Sequence, residues 1–547
     1  MQGYDTTPID AAHPLQWWQT RGFVVAMALL SVIPLLWPDI PPLVDLPGHM
    51  ARYRVQLDGD AYPWLGEWYR FQWSLIGNLG VDLLIVPLAQ LFGLELAVKL
   101  VVIVIPPLTV TGFLWIAREV HGRIPATALF ALPLAYSYPF HFGFVNFALS
   151  IALALNLFAL WLRLARLGRV KLRAVLFVPL SCLLWLCHTF GWGVLGLLAF
   201  SAEMIRQHDL VTVRKPDATL VERLRRGHWV EAWGRAVVGC LPLAVPMLLM
   251  VLWRTGDHVT GKTADWFNWR TKARWAVMTL RDRWIAFDLA STAILFLILL
   301  SAFRDRTIEY SRNLGLSALA LFAMFLLLPR IVFGSAYADM RLFPFAVAVA
   351  IVALRPRPGV PLRHAAAVAF LGLAFMLVRI GGTTASFWLY DRQYTRVLAT
   401  LDRVPVGARL LTFVGQLCRD DWTYSRLEHI SGMATVRRMA FSNDQWSMPG
   451  AQLLTVRYPA GSFAHDPSEI VTQRKCPYER WWKSVDDALL RFPRDRFDYV
   501  WMITPPPTDP ALLRGLTPLR RDAWSTLYRV DDRTQPRLNG VKLPSDS

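Results

Sequence analysis

The chain is short of charge, short of cysteine and short of the motifs that mark soluble enzymes. Only 18% of its 547 residues are charged while 54% are hydrophobic, and the mean hydropathy is +0.34. That balance excludes one water-soluble fold, whose surface would need more polar cover. The five cysteines show no metal-ligand spacing. Cys182, Cys187 and Cys240 sit in apolar runs and read as packing residues. Cys418 and Cys476 lie in the polar C-terminal region, where a disulfide can form if that region faces an oxidising compartment. No Gly-rich phosphate loop, nucleophile elbow or transporter-like internal repeat is present. The first apolar stretch, 22–37, is followed by proline and acid rather than a small-residue cleavage site, so it is expected to remain as an anchor.

Acid is also scarce, 40 Asp and Glu against 58 Lys and Arg, for a net charge of +18. In a soluble protein this excess would suggest a nucleic-acid partner. Here the basic residues cluster between apolar runs: Arg118 and Arg123, then 163–173, 206–226, 304–312 and 355–364. Short basic loops stay on the cytoplasmic side, so these clusters mark the inner face and no nucleic acid is expected.

What is present is a series of apolar runs near the ~20 residues of a bilayer crossing. Spans are expected at 22–37, 96–117, 124–139, 143–162, 172–187, 190–205, 235–253, 286–303, 313–328, 340–354 and 365–381. With residues 1–21 inside, these eleven crossings put all five basic clusters inside and the C-terminal region outside. The segment 78–94 is apolar but short and holds Asp82 and Pro87, so it is expected to be re-entrant or surface-lying. The expected organisation is a cytoplasmic N-terminus (1–21), a membrane domain (22–384) with a long first outer loop (38–78), and a soluble α/β domain (385–547). In that last domain the pattern predicts helices over 386–404 and 478–492 and strands at 408–414, 497–504 and 525–530.

Polar residues collect on the expected outer face. "PPLVDLPGHMARY" (41–53) places Asp45, His49 and Arg52 just beyond the first span, on a segment stiffened by three prolines. Asp45 can act as a general base or a metal ligand; alternatively it caps the helix that follows. If that helix forms, His49 and Arg52 share its face. Other outer turns bring His141 and Asn146, His188, and the group Arg330, Asp339 and Arg341. Singly each can be structural; together they suggest a polar pocket open to the outside, because ionisable groups near membrane depth are costly. Either arginine can hold a phosphate. The Trp-rich stretches 64–73 and 266–270 read as interfacial anchors or as stacking surfaces for sugars.

This arrangement resembles the polytopic glycosyltransferases of the GT-C class. The likeness is carried by the single span and acidic first loop "PPLVDLPGHMARY", by 88–122, by "LPLAYSYPFHFGFVNFAL" (132–149), by "LLPRIVFGSAYADMRLFPF" (327–345) and by a soluble domain after the last span. The resemblance implies a GT-C-like polytopic α-helical membrane protein of 11–12 transmembrane helices. It implies transfer of a sugar from a polyprenyl-phosphate donor to a glycan, lipid or protein acceptor at the outer face. Asp45 is then the catalytic base. His49, Arg52, His141, Asn146, His188, Arg330, Asp339 and Arg341 are expected to bind substrate. Many relatives carry two adjacent acids where this chain has Asp45 followed by Leu46. That departure leaves metal dependence open, a divalent cation (Mg or Mn) being the candidate cofactor and Asp45 and Asp339 its candidate ligands. A transporter or flippase, or a catalytically silent scaffold of the same fold, would share many of these features. A bacterial inner membrane with the C-terminal domain in the periplasm is the expected location.

Overall fold

The computed structural model describes residues 14–214, 228–252, 262–332, 334–357, 359–418, 422–423, 425–448, 452–477, 479 and 481–534. Parts of the expected loops 206–226 and 253–275 lie outside them. The chain forms two compact units. A helical unit comprises Met1–Pro41 with Ser74–Trp388, and a sheet unit comprises Pro42–Trp73 with Leu389–Ser547.

Six described helical segments are long and apolar enough to cross a membrane: Leu94–His121, Val145–Arg166, Val170–Cys187, His228–Val251, Ile285–Arg304 and Leu362–Arg403. Shorter apolar helices run over Arg21–Leu36, Gly80–Phe92, Arg312–Leu327 and Phe343–Val352, and Thr189–Arg214 is a further long helix. This is a multi-pass membrane protein with a C-terminal domain built on a sheet. Leu94–His121 packs along Val145–Arg166, which also packs against Thr189–Arg214. Gly112 permits the first contact, since a Cβ there would lie 2.6 Å from the Leu155 Cβ.

Several buried charges in this unit are paired directly. Arg173 bonds Glu203 at 3.0 Å and lies 3.9 Å from the Trp161 ring, and Arg379 bonds Asp288 at 2.8 Å. In so apolar a medium an unmatched charge would be costly.

Two expectations are corrected here. The run 124–139 is not a spanning helix: it forms the 3-10 segment Ala126–Tyr136, buried along its whole length, and the short helix Tyr138–Phe142. Its apolar character serves contact with other protein, which an apolar run cannot signal by itself. The stretch 22–37 is interrupted, as Arg21–Leu30 and Ile33–Leu36. Gly80–Phe92 is a helix of 13 residues. At ~1.5 Å per residue it is well short of a ~30 Å hydrocarbon core, as its length implied.

The sheet unit carries six strands in the spatial order Lys483–Ser484, Ile470–Thr472, Leu410–Gly415, Tyr499–Ile503, Ser525–Val530 and Leu516–Arg521. The first four are mutually parallel, and the last two join antiparallel. The expected strands at 408–414, 497–504 and 525–530 are all present. The helix expected over 478–492 is shorter, Val485–Arg491. Lys483 and Ser484 are drawn into the sheet, and the Ser484 hydroxyl accepts from the Asp487 amide to start the helix there. The helix expected from 386 continues the last apolar helix without a break, as Leu362–Leu398.

The larger difference concerns the first outer loop. Residues 42–73 belong with the C-terminal unit and not with the helices that flank them in sequence. They form the helices Leu46–Asp58 and Pro63–Trp68 and the strand Tyr69–Phe71. That strand pairs antiparallel with Leu454–Val456. Val55, Leu65, Trp68 and Tyr69 enter one core with Leu411, Phe413, Phe441, Val500 and Met502. The Tyr69 hydroxyl donates to the Ser442 carbonyl at 2.9 Å and accepts from the Ser442 amide at 3.0 Å.

Two further ties hold the unit. Cys418 and Cys476 form a disulfide across 58 positions, a closure worth on the order of 4 kcal/mol from loop entropy alone. Asp498 receives Arg409 Nη2 at 2.6 Å and Arg533 Nη2 at 2.9 Å. Burial opposes its ionisation, but the bonds from the two arginines outweigh it and hold the carboxyl at about 2.

Cys418→Ser is expected to destabilise the sheet unit by up to about 4 kcal/mol, seen as a lower urea or thermal midpoint in limited proteolysis of the full chain. The depressed pKa of Asp498 supplies stability that is complete above the ordinary carboxylate value and lost as pH falls from about 4 towards 2. In Asp498→Asn that acid-dependent loss should be smaller, as measured by melting temperature against pH.

Candidate functional site

The Asp45 neighbourhood is built where two helices of the sheet unit cross. Pro41, Pro42 and Pro47 hold the chain before Leu46–Asp58, and Asp45 occupies the N-cap position of that helix. Its side chain makes no capping bond, so the capping role weighed from sequence is not the one its carboxylate takes. Arg426 donates to the Pro42 carbonyl, and Tyr394 holds the Arg426 carbonyl at 2.6 Å. The helix Gly432–Arg438 packs closely against Leu46–Asp58. A Cβ on Gly432 would lie 2.6 Å from the Pro47 carbonyl oxygen and 2.9 Å from Asp444 Oδ2. One on Gly48 would lie 2.8 Å from the Trp446 ring. Glycine at 432 lets the two backbones meet, and glycine at 48 leaves room for the Trp446 ring.

At this crossing stands His429, buried, with its ring 4.5 Å from Trp446. Its Nε2 faces Asp45 Oδ1 at 3.9 Å. Its Nδ1 faces Asp444 Oδ2 and Glu469 Oε1, each at 4.0 Å. Asp444 and Glu469 side chains are wholly buried, while 11% of the Asp45 side chain is open. Burial alone would lower the His429 pKa, yet the surrounding carboxylates of Asp45, Asp466, Glu428 and Asp444 hold it raised. Burial pushes the Asp444 carboxyl up against the pull of His429. It pushes Glu469 well above the carboxylate range, with Asp466 and Asp444 adding to the effect. Glu428, beside them, is pushed by burial up to about 7. A site with this much confined negative potential favours a proton or a cation.

The other expected residues of the first loop line the same helix. The His49 ring lies 5.0 Å from Trp446. Arg52, almost fully buried, donates to Gln452 Oε1 at 3.4 Å and lies 5.1 Å from the Tyr53 ring.

The remaining expected residues belong to the helical unit. Asn146 accepts from the Val81 amide at 2.6 Å and donates to Asp82 at 3.0 Å, fixing the start of Gly80–Phe92. His188 ends the helix Val170–Cys187, and its Nδ1 accepts from the Phe190 amide at 3.1 Å. Arg341 lies 4.2 Å from the Phe144 ring and 5.4 Å from that of Phe190, and His188 also packs on Phe190. His141 is enclosed by Tyr136 and Phe387. Asp339 is held by Lys272 Nζ at 3.0 Å and Trp275 Nε1 at 3.2 Å. Arg330 reaches Asp265 at 3.4 Å. Thus His188 and Arg341 share an aromatic enclosure, whereas Asp339 and Arg330 each have an acid–base partner of their own.

Sequence reasoning passed over His429, Asp444, Asp466 and Glu469. The available signal was the polar string "SNDQW" (442–446) and the acid-rich "HDPSE" (465–469), both between the paired cysteines. Neither has the short spacing of a metal motif, because the residues converge from separate loops.

Solved structures similar to this chain include two of ArnT. One is ArnT from Cupriavidus metallidurans in the apo state, 14% identical with a TM-score of 0.43, covering 93% of this chain and 97% of that one. The other is the same ArnT bound to undecaprenyl phosphate, 13% identical with a TM-score of 0.42 over the same shares. No family model matches the chain, and no curated protein matches it.

Gly432→Ala should destabilise the sheet unit by about 1–3 kcal/mol, since the Pro47 backbone blocks the added methyl. A thermal midpoint unchanged from wild type would mean that the two helices do not need this approach.

Proposed function

We propose that this protein is a membrane glycosyltransferase that moves a sugar from a polyprenyl-phosphate donor to an acceptor, with Asp45 as the general base. The observation that carries the reading is the state of Asp45. It stands at a helix start without capping it, and it faces a histidine. Of the three carboxylates within 4.0 Å of a His429 ring nitrogen, it has the most open side chain, the part-exposed Asp466 standing farther off. Asp444 and Glu469 are too enclosed to meet an acceptor, whereas Asp45 can reach one.

The chemistry needs little else from this residue. The acceptor hydroxyl loses its proton to Asp45 as its oxygen bonds the anomeric carbon, and the bond from that carbon to the lipid phosphate breaks with its electrons leaving on the phosphate. His429 stands behind Asp45, its Nε2 edge 3.9 Å from Oδ1, and steadies the carboxylate. His49 and Arg52, fixed by Trp446, Tyr53 and Gln452, are the sheet unit's proposed substrate contacts. Arg330 and Arg341 are the helical unit's proposed phosphate ligands, for which a guanidinium fork is suited.

The disulfide supports the placement of the sheet unit in an oxidising compartment, the periplasm of a bacterial inner membrane being the one we propose.

Asp45→Asn, assayed in membranes by transfer of labelled sugar from a polyprenyl-phosphate donor, should lose activity by about 10²–10⁴-fold while the protein still folds. Full transfer by this variant would overturn the assignment.

A further inference from the structure

The group around His429 carries more negative charge than a base needs, and its geometry is specific. One donor atom each from His429, Asp466 and Glu469 lies within 4.8 Å of the other two. Some point is therefore within about 2.8 Å of all three, so bonds of ~2.0–2.2 Å need inward movements of under about 1 Å. We propose that His429, Asp466 and Glu469 bind one divalent transition-metal cation of the zinc or manganese type, with Asp45 as the outer carboxylate behind the histidine. The inference does not rest on the transferase reading.

Four observations converge on it. First, polar atoms that face inward are unsatisfied. His429 Nδ1, Asp444 Oδ2 and both carboxylate oxygens of Glu469 are buried and have no hydrogen-bond partner among the described residues. A buried polar atom left in this state is costly unless something fills its coordination.

Second, among the described residues no lysine or arginine is paired with the carboxylates of Asp444, Asp466 or Glu469. The nearest lysine influence is Lys483, whose ammonium is bonded to the Ser462 carbonyl at 3.0 Å.

Third, the two sides of the imidazole are differentiated. Nδ1 faces Glu469 and Asp444, while Nε2 faces Asp45. A histidine bound to a metal through one nitrogen usually directs its other N–H at a carboxylate, which fixes the tautomer and raises ligand basicity. Asp45 occupies that outer position.

Fourth, the site is both preformed and reachable. His429, Asp444, Asp466 and Glu469 all fall inside the loop closed by Cys418–Cys476. His429 and Glu469 are buried but Asp466 is only partly so, which leaves an entry for an ion. The donor set argues for its class: one imidazole nitrogen with carboxylate oxygens suits zinc or manganese, whereas calcium and magnesium favour all-oxygen shells.

The test uses the full-length protein in detergent, stripped with a chelator and desalted, then titrated separately with Zn²⁺, Mn²⁺, Mg²⁺ and Ca²⁺. Binding is followed by calorimetry and elemental analysis, and stability by thermal melting. Wild type should take up one Zn²⁺ or Mn²⁺ per chain and melt higher with it. Asp466→Asn, at the part-exposed ligand and so the safer variant for folding, and Glu469→Gln should each bind at least about 10-fold more weakly and lose the metal-dependent melting shift. Wild-type uptake no greater than that of the two variants, or equal binding of Mg²⁺ or Ca²⁺, would overturn the proposal. Sugar transfer by metal-free membranes would not rescue the cation site, and a metal-binding protein without transferase activity would not rescue the transferase reading.

Discussion

The sheet unit depends on burying the first outer loop. Leu65, Trp68 and Tyr69 leave water among Phe413, Phe441 and Val500, and full burial of such side chains is worth about 1.5–3 kcal/mol each. Tyr69 adds a reciprocal pair of bonds to Ser442, and Tyr69–Phe71 adds a short strand pairing. Without residues 42–73 the unit would expose this aromatic face. Asp45 is therefore positioned by the core of a domain whose other residues begin more than three hundred positions later.

The same packing explains the character of the His429 group. Gly432 lets its helix approach the Pro47 backbone, and Gly48 leaves room for the Trp446 ring, which lies 4.5 Å from that of His429 beside the start of Leu46–Asp58. Once water is excluded there, every carboxylate raises the cost of ionising the next, and His429 is the basic group they share. Close backbone contact thus produces the electrostatics. The helical unit handles charge in the opposite way: Arg173, Arg379 and Lys272 are each matched directly with an acid.

The membrane architecture was largely legible in the chain, because apolar runs of bilayer length have few other uses. The run 124–139 was misread for a physical reason: protein interior and lipid tails select the same side chains, and only tertiary packing tells them apart. Three of the four long strands of the sheet were legible as strand-like runs; Leu516–Arg521, mostly exposed, was missed, and Ile470–Thr472 and Lys483–Ser484 were too short to leave a pattern. Asp45 was legible as an unusual acid after a span. Its partners were not, since His429, Asp444 and Glu469 approach it across nearly four hundred residues and share no local spacing with it.

The sequence by itself determined that this is a multi-pass helical chain with a polar C-terminal domain, because hydropathy and period are local properties that each segment carries alone. It also determined that an acid, a histidine and an arginine stand on one helix after the first span. Only the tertiary structure decided that this helix belongs to the distant domain, that Asp45 faces His429 instead of capping its own helix, and that Cys418 is joined to Cys476. Those outcomes depend on which apolar faces fit one another, a matter of shape and burial between remote segments that no local pattern encodes.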